Sequence, residues 1–283
     1  MIDTNFLHQL ERFSLIVNKR ITSNYIGERA SAATGKGLIF KDHVIYGPGE
    51  DFRSIDWRLF GRTDKLFSKR YEEERNLTVH VILDLSASMN FGTTVTKAEF
   101  AGKLGVGFAY LALKNNERFV LSTFSDNLEF FKAKKGRAQL ASMVEYLNKK
   151  KPSGKGTLEK SLGSYRKLIN TRSYIVILSD FLYPTEDIRR ALTFFRNNTV
   201  LVIQVLDKVE RNLDLEGDFK LKDLETNSIM RTFINPFARK QYHGMLNEHI
   251  EKIQRICNET GMKFHVVDTG QNVFDVFYEV VGK

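Results

Sequence analysis

The apolar positions of the chain follow two periods from residue 78 onward. Continuous apolar runs rich in valine, isoleucine and leucine occupy 78–84, 118–125, 173–180, 199–207 and 262–269. Between these runs, apolar residues recur every three or four positions, which is the spacing of the buried face of a helix. Uninterrupted apolar strands that alternate with helices are typical of a parallel sheet covered on both faces.

Several helices and one short strand complete this pattern. Helices are predicted at 96–116, 137–149, 158–170, 185–198, 235–261 and 273–283. The stretch at 128–134 is predicted to pair with the 118–125 strand through a polar turn, as an antiparallel edge strand. Because crossovers between parallel strands are right-handed, the chain is predicted to form a doubly wound, mostly parallel α/β sheet with helices on both faces.

Residues 1–77 have a different pattern. A helix is predicted at about 3–20, and short apolar stretches follow it. Turn-forming residues interrupt these stretches at Gly35, Gly37, Gly47, Pro48, Gly49 and Gly61. We therefore predict a small N-terminal helix and β-turn-rich segment, 1–77, docked on a main domain at 78–283.

The charged stretch EDFRSIDWR, residues 50–58, lies inside this segment. Its two aspartates and two arginines are predicted to form salt bridges that hold the segment on the sheet. The single tryptophan, Trp57, is predicted to be a core anchor, because a large indole is buried on average.

Composition limits the class of protein. The one cysteine, Cys257, excludes an intramolecular disulfide and a multi-cysteine zinc site. The first residues carry acids and lack the apolar region of a signal peptide. No run approaches the ~18 apolar residues that span a bilayer. A cytoplasmic protein without membrane insertion is therefore expected.

The charge of the chain favours acidic partners. Lys and Arg number 43 against 34 for Asp and Glu, which gives a formal net charge of +9. Much of the excess lies at 130–137 and 148–156. No zinc-finger spacing or aromatic RNA-binding motif accompanies these lysines, so nucleic-acid binding through 130–156 is only an alternative.

Oxygen-bearing side chains follow two of the predicted strands. The run TVHVILD ends on Asp84, and Ser86 and Ser88 follow at alternate positions. Asp180 follows the apolar run SYIVILS. Doubly wound sheets bind ligands beyond the carboxyl ends of their strands, so these oxygens are expected to meet at one edge. Such oxygens suit Mg²⁺ or Mn²⁺ better than zinc. Serines that only cap the next helix are the alternative.

Three other motifs at this strand end are excluded. The nucleophile elbow of α/β hydrolases needs glycines two residues either side of its serine, where Asp84 and Ser88 stand. A phosphatase with an aspartyl nucleophile needs a second aspartate in place of Ser86. A P-loop whose second glycine is Gly154 needs its first glycine at position 149, where Lys149 stands. No nucleophile or base motif therefore accompanies the oxygen set.

The sequence DLSAS at 84–88 resembles the D-x-S-x-S signature of the metal-ion-dependent adhesion site in von Willebrand factor A domains. That family adds a threonine before a helix and an aspartate after a later strand, for which Thr157 and Asp180 are the candidates. The resemblance implies that Ser86, Ser88 and Thr157 ligate the ion directly. It implies that Asp84 and Asp180 act directly or through water. An open coordination position would then accept a carboxylate of a partner protein.

Residues 46–89 are similar to the segment typical of the domain-of-unknown-function-58 family, whose members carry such an A-type domain. The matching positions are Tyr46, Pro48, Gly49, Asp51, Arg53, Ile55, Asp56, Trp57, Arg62 and Glu74. Genes of this family often lie beside those of MoxR-type AAA+ ATPases. The resemblance therefore implies an adaptor or co-chaperone that works with such an ATPase.

Together these resemblances imply a non-enzymatic protein-interaction module that depends on Mg²⁺ or Mn²⁺. The enzymatic alternative is a Mg²⁺-dependent phosphoesterase that uses the same oxygens, because a site with two carboxylates can activate water.

Overall fold

The computed structural model describes residues 2–20, 39–47, 49–72, 78–169, 171–226 and 228–282. The chain folds as two compact units, a main unit of residues 1–20 with 77–283 and a small unit of residues 21–76. Gly35, Gly37, Pro48 and Glu74, which belong to the N-terminal sequence pattern, lie outside the described residues.

The secondary structure follows the predicted succession of strands and helices. The described helices are α1 (Thr4–Arg20), α2 (Trp57–Thr63), α3 (Lys97–Lys114), α4 (Arg137–Lys149), α5 (Leu158–Arg166), α6 (Thr185–Thr193), α7 (Lys208–Asn212), α8 (Pro236–Thr260) and α9 (Val273–Gly282). The described strands are β1 (Ile39–Ile45), β2 (Phe67–Glu72), β3 (Thr78–Asp84), β4 (Arg118–Phe124), β5 (Leu128–Phe130), β6 (Tyr174–Ser179), β7 (Thr199–Leu206), β8 (Gly217–Lys222), β9 (Ile229–Ile234) and β10 (Lys263–Asp268).

Local sequence explains several helix ends. Thr96 caps α3, because its hydroxyl oxygen accepts a hydrogen bond from the backbone N–H of Glu99 at 3.1 Å. Asn235 caps α8 by accepting from the N–H of Ala238 at 2.7 Å, and a proline occupies the first turn. Gly261 ends α8 with a φ of 70°, a left-handed conformation that favours glycine.

The main unit is built on a six-stranded sheet of order β10-β7-β6-β3-β4-β5. All neighbouring strands are parallel except β5, which pairs antiparallel with β4 at the edge. β3 is central, and its Leu83 lies opposite Thr123 of β4 and Leu178 of β6. The predicted doubly wound, mostly parallel α/β sheet with an antiparallel edge strand is therefore confirmed.

Helices cover both faces of this sheet. On one face, α3 approaches so closely that a Cβ added at Gly105 would meet the side chains of Val81 and Leu178. On the other face, Ile82 and Ile177 belong to a buried cluster that includes residues of α5, α6 and α8. Successive residues of one strand are thus buried on opposite faces, which explains the continuous apolar runs in the sequence.

A hairpin that the sequence pattern did not predict lies between β7 and α8. Its strands β8 and β9 pair antiparallel, from Gly217 with Ile234 to Lys222 with Ile229. Ile234 is the one buried residue of the two strands. Because the hairpin buries so little, it lacks the apolar pattern that identifies core strands.

Helix α1 packs within the main unit. The ring of Phe6 is buried and stacks on Phe274 of α9, with 5.4 Å between ring centroids. The Asn148 side chain accepts a hydrogen bond from the N–H of Ile2 at 2.9 Å and donates to its carbonyl at 2.8 Å. The main unit therefore does not begin at residue 78, the predicted start of the main domain, because α1 also contributes to its core. Docking of the rest of the segment on the sheet stays a prediction.

The small unit corrects two expectations. The indole of Trp57 is 60% exposed, so the prediction of a core anchor is wrong; Ile55 is buried instead. Trp57 begins the short helix α2 and contacts Phe60 edge-on. Within the described residues, the aspartates are not paired with the neighbouring arginines. Asp56 caps α2 and pairs with His43 at 2.9 Å and Lys69 at 3.4 Å.

Within the ranges that the structure describes, every helix is too short or too polar to cross a lipid bilayer.

Candidate metal centre

The sheet brings the predicted oxygen ligands to one edge. Asp84 is the last residue of β3 and Asp180 directly follows β6, the neighbouring parallel strand. Both carboxylates are buried. Ser86 and Ser88 lie in the one-turn 3-10 helix region after β3, and Thr157 immediately precedes α5. The doubly wound topology therefore places them at the carboxyl ends of the central strands.

Three hydrogen bonds hold the Asp84 carboxylate. Its Oδ1 accepts from the backbone N–H of Ser86 at 2.9 Å. Its Oδ2 accepts from the hydroxyls of Ser179 and Tyr183, each at 2.7 Å. A carboxylate with three donors is fixed in orientation, so it also fixes the start of the loop that carries the two serines.

The hydroxyl oxygens of Ser86 and Ser88 lie 3.0 Å apart. Adjacent oxygen ligands of an octahedral Mg²⁺, each about 2.1 Å from the ion, are separated by about 3 Å. Ser86 begins the 3-10 helix but makes no side-chain capping hydrogen bond, and α3 is capped by Thr96. Within the described residues, the interpretation of these serines as helix caps therefore has no structural support.

The loop before Thr157 is tied to the loop after Asp84. The N–H of Ala87 donates to the carbonyl of Gly154, and the N–H of Ser153 donates to the carbonyl of Leu85, both at 2.9 Å. The Thr157 hydroxyl donates to the carbonyl of Ser125 at 2.8 Å. Thr157 makes no capping bond to a backbone N–H of α5, but its oxygen lies 3.0 Å from the Ser161 hydroxyl, from which it accepts, so one lone pair is left.

Asp180 has a partner that sequence reasoning missed. The ammonium of Lys97, fully buried at the start of α3, lies 2.9 Å from Asp180 Oδ2 and 2.7 Å from Glu210 Oε1. A cation in the first turn of a helix interacts unfavourably with the helix dipole. A lysine at position 97, directly after the Thr96 cap, could therefore have indicated from the sequence that carboxylates lie nearby. Glu210 completes the capping box of α7, a pattern visible as DKVE at 207–210.

The backbone after Asp180 is strained. Phe181 is buried with a φ of 51°, in the left-handed region that bulky residues rarely adopt. The His249 ring contacts its carbonyl oxygen at 2.7 Å. Strain of this kind persists where surrounding structure imposes it and is concentrated at functional sites.

The electrostatics of the centre favour a bound cation. Burial, together with the negative charge of Asp180, raises the pKa of Asp84 to about 6. Burial also raises the pKa of Glu210. Burial opposes the charge of Lys97, but Asp180 and Glu210 more than offset this and raise its pKa. The single ammonium therefore leaves an excess of negative charge on the carboxylates.

The donor set fits a hard divalent cation. It consists of hydroxyl and carboxylate oxygens, which Mg²⁺ and Mn²⁺ accept and zinc disfavours. Among the described residues, no group of three or more histidines, cysteines, aspartates or glutamates could hold a metal ion. The two carboxylates alone would therefore not hold an ion at this edge, and the serine and threonine hydroxyls are the further side-chain oxygens at hand. That Asp84, Ser86, Ser88, Thr157 and Asp180 ligate a metal stays a prediction.

Two solved structures are similar to this chain at low identity. The conserved hypothetical protein BatB from Bacteroides thetaiotaomicron matches with a TM-score of 0.47 and 14% identity, over 72% of this chain and 97% of that one. The manganese-loaded TRAP protein of Plasmodium vivax matches with a TM-score of 0.36 and 15% identity, over 45% of this chain and 56% of that one.

Two sequence relatives match the chain over different lengths. The uncharacterized protein Rv1480 of Mycobacterium tuberculosis is 25% identical over 264 residues, which cover 92% of this chain and 83% of the relative. The uncharacterized protein YeaD of Bacillus subtilis is 22% identical over 146 residues, which cover 51% of this chain and 35% of the relative. Residues 43–252, which include the five predicted ligands and most of the sheet, match the family described as Protein of unknown function DUF58, and the chain belongs to that family.

Proposed function

We propose that this protein is a non-enzymatic, divalent-metal-dependent protein-interaction module. The metal, Mg²⁺ or Mn²⁺, would be held by Ser86, Ser88 and Thr157, with Asp84 and Asp180 direct or through water. The observation that carries the proposal is the pair of serine hydroxyls 3.0 Å apart beside a buried carboxylate that three donors fix in place.

Asp84 and Lys97 have different roles in this proposal. Asp84 orients the serine loop through its bond to the Ser86 N–H. Lys97 neutralises Asp180 and so reduces the repulsion between the two carboxylates. A bound divalent ion would supply a Lewis acid that accepts one carboxylate oxygen of the partner.

We propose an acidic protein partner rather than nucleic acid. The basic stretches beside the centre are partly neutralised within the fold, because Lys149 pairs with Glu145 at 2.6 Å and Lys150 pairs with Glu129. The remaining lysines, among them Lys155, leave a positive field that would steer an acidic surface toward Thr157.

For the partner itself we propose a MoxR-type AAA+ ATPase, with this chain as a cytoplasmic adaptor or co-chaperone. The family resemblance and the net charge of +9 support this assignment.

The test is capture of a purified MoxR-type ATPase from the source organism, with Mg²⁺ or with EDTA. Wild type is expected to capture it only with Mg²⁺, and Asp84→Ala and Ser86→Ala are expected to lose capture. Ser142→Ala, an exposed serine on α4, is the matched control and should behave as wild type. Equal capture in EDTA would overturn metal dependence. A phosphate-ester hydrolysis that Asp84→Ala abolishes would instead establish the phosphoesterase alternative.

A further inference from the structure

A groove between α5 and α6 opens beside the candidate metal centre. Its volume is about 590 Å³, and Gly156, Thr157 and Tyr183 line one end of it. The Tyr183 hydroxyl also donates a hydrogen bond to Asp84 Oδ2 at 2.7 Å. The groove therefore begins at one predicted ligand, Thr157, and at a side chain bound to another, Asp84.

One face of α5 forms the first side of the groove. Lys160, Ser164 and Lys167 line it and follow one another at intervals of four and three residues, which places them on the same side of the helix. All three are exposed. This face therefore presents a cation at each end and a small side chain between them.

Helix α6 and the residue after it form the second side, which includes Asp187 and Phe194. A Cβ added at Gly163 of α5 would lie 3.1 Å from the Phe194 ring, so the ring packs against α5 at that glycine. The ring is nevertheless 38% exposed. The groove therefore offers apolar surface at the end away from the candidate metal centre.

The charges that line the groove are unevenly paired. Its two carboxylates, Glu159 and Asp187, both pair with Arg190, the first at 2.9 Å. Among the residues that the structure describes, Lys160 and Lys167 take part in no salt bridge. The charges left without a partner are therefore positive, which is complementary to an acidic occupant.

The length of the groove sets the length of its occupant. The ten residues from Thr157 to Lys167 rise about 15 Å along the helix axis. An extended chain rises about 3.3 Å per residue, so about five residues of it cover this distance.

We propose that the groove between α5 and α6 is the docking site for an extended acidic segment of the protein partner. The segment runs from the metal centre, where one of its carboxylates binds the ion, past Lys160 to Lys167. An apolar side chain of the segment packs on Phe194. The inference rests on the proposed function, because it starts from the carboxylate that the partner gives to the ion, and it adds the chemistry and length of the partner's segment.

The test uses the full-length chain and a fluorescein-labelled hexapeptide of alternating glutamate and leucine with blocked ends. Fluorescence anisotropy gives its dissociation constant with Mn²⁺ and with EDTA. We expect Lys160→Glu and Lys167→Glu each to weaken binding about tenfold, because an attracting charge becomes a repelling one. Lys240→Glu, at an exposed lysine of α8 outside the groove, changes the net charge equally and should bind as wild type does.

A second pair of variants tests the shape of the groove. Ser164→Phe fills the space between the two lysines and leaves every charge in place, so peptide binding should again fall about tenfold. Ser142→Phe, at an exposed serine of α4, is the matched control and should bind as wild type does. The same peptide with glutamine in place of glutamate should bind wild type about tenfold more weakly.

Calorimetric Mn²⁺ binding separates this inference from the proposed function. The groove variants remove no predicted ligand, so each should bind Mn²⁺ at least as tightly as wild type, with a thermal midpoint close to that of wild type. Ser86→Ala should lose Mn²⁺ binding. Peptide binding that is tighter with Mn²⁺ and weaker in the groove variants supports both proposals.

The other outcomes overturn one proposal or both. If wild type binds Mn²⁺ through Ser86 but does not bind the peptide, or if the groove variants bind the peptide as wild type does, this inference fails alone. If the peptide binds equally with EDTA and still depends on Lys160 and Lys167, the docking site stands and the metal dependence fails. If neither Mn²⁺ nor the peptide binds, both fail.

Discussion

The Lys97 ammonium lies between the carboxylates of Asp180 and Glu210 with no exposed surface of its own. At the scale of single residues, this cation is what permits carboxylates to be buried side by side at the strand ends. Ionised groups tolerate burial when they are paired and hydrogen-bonded, and removal of one partner leaves the other uncompensated. The predictions at this scale therefore concern substitutions that remove the charge of Lys97 or of Asp84.

Lys97→Met is expected to lower the free energy of unfolding of the metal-free protein by about 3–5 kcal/mol, because two carboxylates lose their buried cation. Urea unfolding in EDTA measures this. Lys103→Met, which removes a surface pair with Glu99 on the same helix, is the control and should change stability by about 0.5 kcal/mol or less. Equal effects of the two substitutions would contradict the role given to Lys97.

Asp84 predicts a pH dependence in the metal-free protein. Its pKa is raised by burial from 3.8 to about 6, so its contribution to stability is complete below pH 3.8 and is lost as the pH rises through 6. Asp84→Asn cannot ionise and lacks this loss. Between pH 4 and pH 7.5, urea unfolding should show the variant gaining about 2–3 kcal/mol relative to wild type. A difference that stays constant with pH would contradict the raised pKa.

At the scale of elements, the centre depends on loops that touch each other after separate strands. The loop at 153–156 bonds to the loop at 85–87 and packs on Tyr183. Nothing local in the sequence pairs these loops. The parallel register of β3 with β6 brings Asp84 and the residues after Ser179 to the same edge of the sheet. The loops at this edge can then pack closely where they contain glycine.

Gly156→Ala tests this fit. Its Cβ would meet the Tyr183 hydroxyl at 1.8 Å, so the tyrosine or the loop must move, at a cost of about 1–3 kcal/mol. Thermal unfolding measures the loss. Gly244→Ala is the control, because no atom lies within 4 Å of its added Cβ in α8, and alanine there should stabilise by about 0.5–1 kcal/mol. A neutral Gly156→Ala would show that the loop is not closely packed.

At the scale of the whole molecule, the main unit combines two segments that are separated in the sequence, residues 1–20 and 77–283. Helix α1 comes first in the chain but packs with α9, the last described helix, in the main unit. Residues 21–76 form the other unit. The main unit therefore depends on a helix that its sheet pattern, beginning at residue 78, does not include.

Phe6→Ala is expected to destabilise the main unit by about 3–5 kcal/mol, since it empties a buried position stacked on Phe274. Phe237→Ala is the control, because that ring is 76% exposed and its removal should cost under about 0.5 kcal/mol. Denaturant unfolding followed by circular dichroism measures both. If Phe6→Ala were as mild as the control, α1 would not belong to the core.

Most of the fold could be predicted from the sequence, because its causes are local. The runs around Val81 and Ile177 are apolar on both faces, so they indicated buried parallel strands, and the apolar spacing at 96–116 and 235–261 indicated helices. The exposed Trp57 was the exception, because side-chain type gives only an average burial. The β8–β9 hairpin was not predicted, because its two strands bury a single residue.

The sequence by itself determined the sheet, its helices and the oxygens at its edge, because short-range periodicity decides which residues are buried and a five-residue motif sets Asp84, Ser86 and Ser88. Tertiary structure alone decided the contacts of the Lys97 ammonium with Asp180 and Glu210. These residues are far apart in the chain, and only the packing of α3 against the strand ends brings their charges within hydrogen-bonding distance.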